Sequence, residues 1–157
     1  MKQKVYIETS TVSYLIARPS RDLIIAANQQ VTREWWNDHR SQFDLYISQV
    51  VLKEASEGDK EAAQQRLKAL QGIPLLELKT EALSLANRFV RDKALPKKAS
   101  DDALHIAVAS IYGIDYLVTW NCKHIANAVI QKSIVRITTE QGYKLPIICT
   151  PYELTRR

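Results

Sequence analysis

Four oxygen-bearing side chains stand at the ends of apolar runs or at the starts of helical ones. Glu8 closes the run Val5-Tyr6-Ile7, and Glu54 lies one turn into a helical stretch after Ser48-Gln49-Val50. Asp102 follows Ser100-Asp101 at the start of another helical stretch, and Asn121 ends the run Tyr116-Leu117-Val118-Thr119-Trp120. Each has an ordinary explanation when taken singly. Glu8 is an acid at the neck of a loop, where Thr9-Ser10-Thr11 serve equally well as a capping segment. Glu54 is a solvated helical acid, with Glu57 and Asp59 nearby as substitutes. Asp101 and Asp102 favour the positive end of a helix dipole, and Asn121 suits a turn.

Together they fall on one predicted rim. Carboxylates gathered in one place repel unless a cation neutralises them, and hard oxygen ligands select Mg²⁺ or Mn²⁺. Such an ion activates a water and neutralises charge on a transferring phosphoryl group. Glu8, Glu54 and Asp102 are therefore the candidate metal ligands. Asn121 completes the candidate catalytic set by positioning a water or a neighbouring ligand.

The elements that carry these residues alternate between strand and helix. Lys4–Ile7 and Asp44–Ser48 read as short strands, as do Tyr116–Thr119, Ile134–Thr138 and Ile147–Cys149. Thr11–Ile16, Leu23–Trp36, Val50–Glu57, Glu61–Leu70, Thr80–Asp92 and Ala103–Ile111 read as helices, with Thr80 and Ser100 as caps. Pro74–Glu77 reads as the approach to a helix, and His124–Val129 as a further short one. This alternation predicts a three-layer α/β/α fold with a mainly parallel central sheet, a single domain over residues 1–157. In such sheets ligands bind beyond the carboxyl ends of the strands, where Glu8 and Asn121 stand.

Composition narrows the function classes. A chain of 157 residues with 46% hydrophobic and 25% charged content buries a sizeable core without staples. Only 4 glycines are present, and no glycine-rich phosphate loop appears among them. The net charge of +5 favours polyanionic partners, though a solvated basic surface has the same balance. The two cysteines, Cys122 and Cys149, have neither zinc-finger spacing nor a disulfide pattern, which suggests a reducing compartment. No apolar h-region follows Met1-Lys2-Gln3-Lys4 and no stretch is long enough to span a bilayer. A cytoplasmic location with no membrane association is the expectation.

Four short motifs in order resemble the PIN-domain family, and within it the VapC-like toxin ribonucleases of bacteria and archaea. They are Val5-Tyr6-Ile7-Glu8-Thr9-Ser10, then Ser48 to Glu54, then Ser100-Asp101-Asp102-Ala103-Leu104-His105-Ile106-Ala107-Val108-Ala109, then Tyr116 to Asn121. The resemblance runs from about Val5 to about Ile137. It implies a PIN-like α/β/α fold, an acidic site for Mg²⁺ or Mn²⁺, and hydrolysis of RNA phosphodiester bonds by the toxin of a toxin–antitoxin pair. The implied partners are RNA, a cognate antitoxin and a second copy in a homodimer. This chain carries Glu8 where the family usually has Asp, and Asn121 where it has a fourth acid. The amide keeps an oxygen and loses the charge, so one hard cation is expected to bind well and a second poorly or not at all. Asp101 compensates only in part, because neighbours on a helix point about 100° apart.

Other residues have two readings each. His105 lies one turn beyond Asp102, as a phosphate contact or as a packed helical histidine. Ser10 orients a ligand or caps. Arg88, Arg91, Lys93, Lys97 and Lys98 form a basic wall for an RNA backbone or a solvated face. Trp35 and Trp36 stack bases or pack in the core. The alternative function is a catalytically weak or inactive PIN-like module that binds RNA or protein, with Asn121 as its support. A DNA-directed nuclease ranks last, because nothing resembles an added helical arch.

Overall fold

The computed structural model describes residues 1–155. Its centre is strand β1, Gln3–Ile7, flanked by β2, Phe43–Ser48, and β4, Tyr116–Val118. β3, Leu75–Leu76, and β5, Ile147–Cys149, form the edges, giving the order β3-β2-β1-β4-β5 with every pair parallel. Tyr6 pairs with Tyr46 on one side and Leu117 on the other. Burial on both faces explains why β1 reads as the apolar run Val5-Tyr6-Ile7 rather than as an alternation; all three are fully buried.

Parallel strands require crossovers, and helices supply them. Helices α1, Thr9–Ile16, and α2, Leu23–Glu34, link β1 to β2. Helices α3, Gln49–Ala55, and α4, Lys60–Ala69, link β2 to β3. Helices α5, Thr80–Arg91, and α6, Ser100–Ile111, link β3 to β4, and α7, Ala128–Glu140, links β4 to β5. α1 packs on α2, α3 and α4, while α5 packs on α6 and α7, so the three-layer α/β/α arrangement predicted from the alternation is the one formed. In α5, Ala82, Leu85, Ala86 and Phe89 are buried at three-to-four spacing, one face of an amphipathic helix. α6 buries every residue from His105 to Ser110 and so forms a central part of the core.

Three sequence expectations are corrected. Ile134–Thr138 is helical, inside α7, rather than a strand. Its β-branched residues bias the local reading toward strand, but Ile134, Ile137 and Thr138 bury one helical face against the core. The helix expected from His124 starts only at Ala128, where the Asn127 side chain accepts the Val129 amide at 3.0 Å. Pro74–Glu77 contains β3, whose two residues pair with Ile47 and Ser48 of β2. Both expected caps are also displaced by one residue. Lys79 and Ala99 stand at the cap positions, and Ser100 donates its hydroxyl to the Lys97 carbonyl at 2.6 Å. α2 ends at Glu34, and Trp35–His39 continue as a π-helical turn.

The strand order reverses between β1 and β4: the chain builds outward to β3 on one side, then returns to build β4 and β5 on the other. A crevice opens at such a switch point, beyond the carboxyl ends of the strands. Glu8 follows β1 there, and Thr119, Trp120 and Asn121 follow β4.

Candidate metal centre

Glu8 is the N-cap of α1, with the extended backbone of a cap residue. Its Oε1 accepts from the Ser10 amide at 3.1 Å, from the Thr119 hydroxyl at 2.6 Å and from the Ser10 hydroxyl. The residue is 3% exposed. Burial pushes its carboxyl above the usual range, opposed by the charge of His105 and by the Ser10 and Thr119 hydroxyls.

Glu54 comes from the last turn of α3, which β2 aims at the same crevice. Its Oε1 accepts the Thr9 hydroxyl at 2.7 Å and meets His105 Nε2 at 2.5 Å. Burial opposes ionisation of Glu54, but the hydrogen bond and charge of His105, with the Thr9 hydroxyl, outweigh it and hold the carboxyl below its ordinary value. His105 is held above the ordinary imidazole value: burial acts downward, and the Glu54 hydrogen bond with the charges of Glu8, Glu54 and Asp102 overcomes it.

Ligand atoms of Glu8, Glu54 and His105 lie within 4.8 Å of one another, the group of this kind found among the described residues. The structure thus brings Glu8 and Glu54 together, with His105 as the third donor in the tight group. Asp102 stands beside that group. Its Oδ1 accepts the Asn121 amide at 3.0 Å, and its Oδ2 meets His124 Nδ1 at 3.1 Å. Burial raises the Asp102 carboxyl, against the charges of His105 and His124. Asn121 Oδ1 accepts the backbone amides of Lys123 at 3.3 Å and His124 at 3.1 Å. Two N–H donors on one atom fix the amide's orientation, so its NH₂ necessarily faces Asp102.

The donor chemistry fits a hard divalent cation. Glu8 and Glu54 each turn Oε1 to protein donors, and no described residue bonds either Oε2. The buried side-chain polar atoms without a partner among the described residues are Trp35 Nε1 and His39 Nδ1, so neither free carboxylate oxygen is sealed in the core. Two close carboxylates with one open oxygen each form a site that a cation stabilises and that repels itself without one.

The surrounding residues divide. Asp101 pairs with Lys53 at 3.3 Å and is spent outside the tight group. Ser10 serves Glu8 as a donor and also accepts the Trp120 amide at 2.8 Å. Arg88 is bound to Asp92 at 3.0 Å and to Glu140, and Arg91 to Asp92 at 3.4 Å. Lys93, Lys97 and Lys98 are exposed. Lys97 and Arg91 flank a groove of about 660 Å³ between α5 and α6. Trp35 is fully buried, and Trp36 lies half-buried under the Arg40 guanidinium at 4.4 Å, so both pack. A different aromatic pair lies near the crevice: Tyr14 and Trp120, both half-buried, stack with ring centres 5.6 Å apart. The sequence reads Thr9 as part of a capping segment and His124 as a helix start, and nothing in it joins either of them, Thr119 or the Tyr14–Trp120 pair to this site beyond the position of Thr119 and Trp120 at the end of β4, beside Asn121.

Both cysteines are free, and no helix among the described residues is long and apolar enough to cross a membrane. No family model matches the sequence, and no curated protein matches it. The fold is similar to VapC20 of Mycobacterium tuberculosis, a toxin that cleaves the sarcin–ricin loop. There the TM-score is 0.56 and identity 15%, over 76% of this chain and 92% of that one. It is similar also to VapBC2 of Rickettsia felis, bound to a DNA fragment from its promoter, at TM-score 0.50 and 18% identity. That match covers 77% of this chain and 90% of the other. The protein has the fold of VapC-like PIN domains.

Proposed function

We propose that the protein is an endoribonuclease that hydrolyses RNA phosphodiester bonds with Mg²⁺ or Mn²⁺, and that it is the toxin of a toxin–antitoxin pair. The observation that carries this is the pair Glu8 and Glu54, each with one open oxygen, gathered with His105 at the switch point of a VapC-like sheet. Glu8 and Glu54 hold the cation, and Asp102 binds it at the rim. A bound cation supplies activation of a water and neutralisation of phosphate charge. Ser10 and Thr119 hold Glu8; Thr9 and His105 hold Glu54. Asn121 orients Asp102 instead of adding a fourth charge, which favours one cation over two. Lys97 and Lys98 steer the RNA backbone, and the Tyr14–Trp120 stack offers a face to an unpaired base.

The partners in this account are RNA, a cognate antitoxin and a second copy of the chain, in the cytoplasm. The VapBC2 likeness supports an antitoxin. The outward-facing Leu23 and Ile24, 85% and 75% exposed at the start of α2, support a covered surface. The test is incubation of the purified chain with single-stranded RNA and, in parallel, flap DNA, with Mn²⁺ and with EDTA. RNA cleavage that EDTA abolishes, with DNA intact, is the expected result.

One observation favours a second reading, a PIN-like module that binds RNA or protein and cuts weakly or not at all. Asn121 is neutral, and both ends of its amide are engaged. Intact RNA in every condition, with retained partner binding, favours that module.

A further inference from the structure

Ser48, Tyr6, His105 and Glu54 form an unbroken chain of hydrogen bonds. Ser48 Oγ and Tyr6 Oη are 2.7 Å apart, Tyr6 Oη and His105 Nδ1 2.7 Å, and His105 Nε2 and Glu54 Oε1 2.5 Å. Ser48, Tyr6 and His105 are each 0% exposed. The members come from β2, β1, α6 and α3, so no local turn or cap chemistry accounts for them. A phenylalanine and a leucine would fill the same core without any polar demand, whereas an orphaned buried polar group costs about 1–3 kcal/mol.

The protons in this chain can run in two directions. With neutral imidazole, Ser48 donates to Tyr6, Tyr6 donates to Nδ1, and Nε2–H donates to Glu54. With imidazolium, Nδ1–H donates to Tyr6, and Tyr6 donates to Ser48. The two hydroxyls exchange roles, every nitrogen and oxygen of the chain keeps a partner, and Nε2 carries a hydrogen toward Glu54 in both cases. A metal ligand needs the Nε2 lone pair; the Nδ1–H tautomer that would bare it sets that lone pair against the Glu54 carboxylate 2.5 Å away, so Nε2 carries the hydrogen.

We propose that His105 is a positioning residue and not a ligand: the Ser48–Tyr6–His105 chain locks Glu54 by Oε1 and leaves Oε2 for the cation. This rests on the metal-site reading above. Hydrogen bonds to ligating carboxylates set their orientation, and removing such partners typically weakens metal binding about 10–100-fold. Thr9 supports the same oxygen from α1.

The experiment uses the full chain and Mn²⁺ alone. Pulsed electron paramagnetic resonance on the wild-type Mn²⁺ complex reads nitrogen coordination directly and needs no variant; no coupling attributable to His105 is expected. Calorimetry then reads affinity. Tyr6→Phe keeps the ring and strands Nδ1, so it weakens Mn²⁺ binding about 10–100-fold in a protein whose circular dichroism is unchanged. Ser48→Ala has a smaller effect, since Tyr6 still donates to Nδ1. His105→Gln, which keeps a donor, binds Mn²⁺ better than His105→Leu. A directly coordinated nitrogen that vanishes in His105→Gln overturns the proposal, and so does wild-type affinity in both Tyr6→Phe and His105→Leu. Wild-type protein that takes up no Mn²⁺ overturns the metal site and this proposal together, a failure told apart because it needs no substitution.

Discussion

The side-chain amide of Asn121 donates to Asp102 Oδ1 across 3.0 Å, so the neutral residue at the end of β4 supports a carboxylate rather than standing as one. Asn121→Asp replaces that bond by like charges facing each other. Without metal the variant loses roughly 1–3 kcal/mol of stability, from the lost bond and the uncompensated charge. With Mn²⁺ it recovers most of the loss. Urea unfolding in EDTA and in Mn²⁺ checks this; equal losses in both conditions would show that no cation reaches the position.

The Thr119 hydroxyl donates to Glu8 Oε1 at 2.6 Å, and Thr119 itself is fully buried. Thr119→Val preserves shape and removes the donor, leaving a buried carboxylate short of one partner. The expected cost is about 1–3 kcal/mol. It raises the Glu8 carboxyl further, so metal uptake shifts to higher pH. Chemical denaturation with Mn²⁺ titrations at several pH values measures both effects.

Four groups of the site contribute to the pH dependence of the metal-free fold, and the raised carboxyl of Asp102 acts in the same direction as that of Glu8. Glu8 titrates above the ordinary carboxylate value, so the folded state holds its proton more tightly than the unfolded chain. Stability from Glu8 is complete below the carboxylate range and is lost as pH rises through its folded value. His105, also raised, loses its contribution as pH climbs above the imidazole range. Glu54, lowered, contributes above the carboxylate range and loses its share only as pH falls below it. In EDTA, stability therefore declines from mildly acid toward alkaline pH. Glu8→Gln removes part of that decline and raises the melting temperature of the metal-free protein at neutral pH, each 1 kcal/mol gained reading as about 2–4 °C for a chain of this size. The same variant gains nothing from Mn²⁺. Thermal melts across pH, with and without metal, decide the matter.

Arg88 is held by Asp92 and Glu140, whereas Lys97 and Lys98 are exposed beside the α6 start. Lys97→Ala and Lys98→Ala each lower the salt slope of RNA binding by about one unit, and Arg88→Ala leaves it nearly unchanged. Binding isotherms of a non-cleavable RNA at several salt concentrations separate these cases.

The parts of the molecule that follow from period and punctuation were legible in the sequence. The apolar run before Glu8 predicts a buried strand, and the spacing of Ala82, Leu85, Ala86 and Phe89 predicts α5. Ile134–Thr138 reads as a strand because its β-branched residues carry a local preference that burial of one face in α7 overrides. Glu8 and Glu54 were legible as acids on one rim. The third member of the tight group was not, since His105 is brought to Glu54 by the packing of α6 on α3, a contact between residues 51 positions apart. The Asp102–His124 pair was hidden likewise: it depends on the Asn121 turn that folds His124 back toward α6.

Cleavage by the wild type and Glu54→Gln, prepared identically and given the same single-stranded RNA with Mn²⁺, decides whether Glu54 holds a catalytic cation. Glu54 bears one open oxygen at the heart of the group, and glutamine keeps its size while removing the charge. Wild-type protein is expected to cut in Mn²⁺ and not in EDTA, and Glu54→Gln to fall by at least about 100-fold, the effect of losing one charge at a cation that stabilises a phosphoryl transition state. RNA left intact by the wild type, or cut equally by Glu54→Gln, would contradict that role.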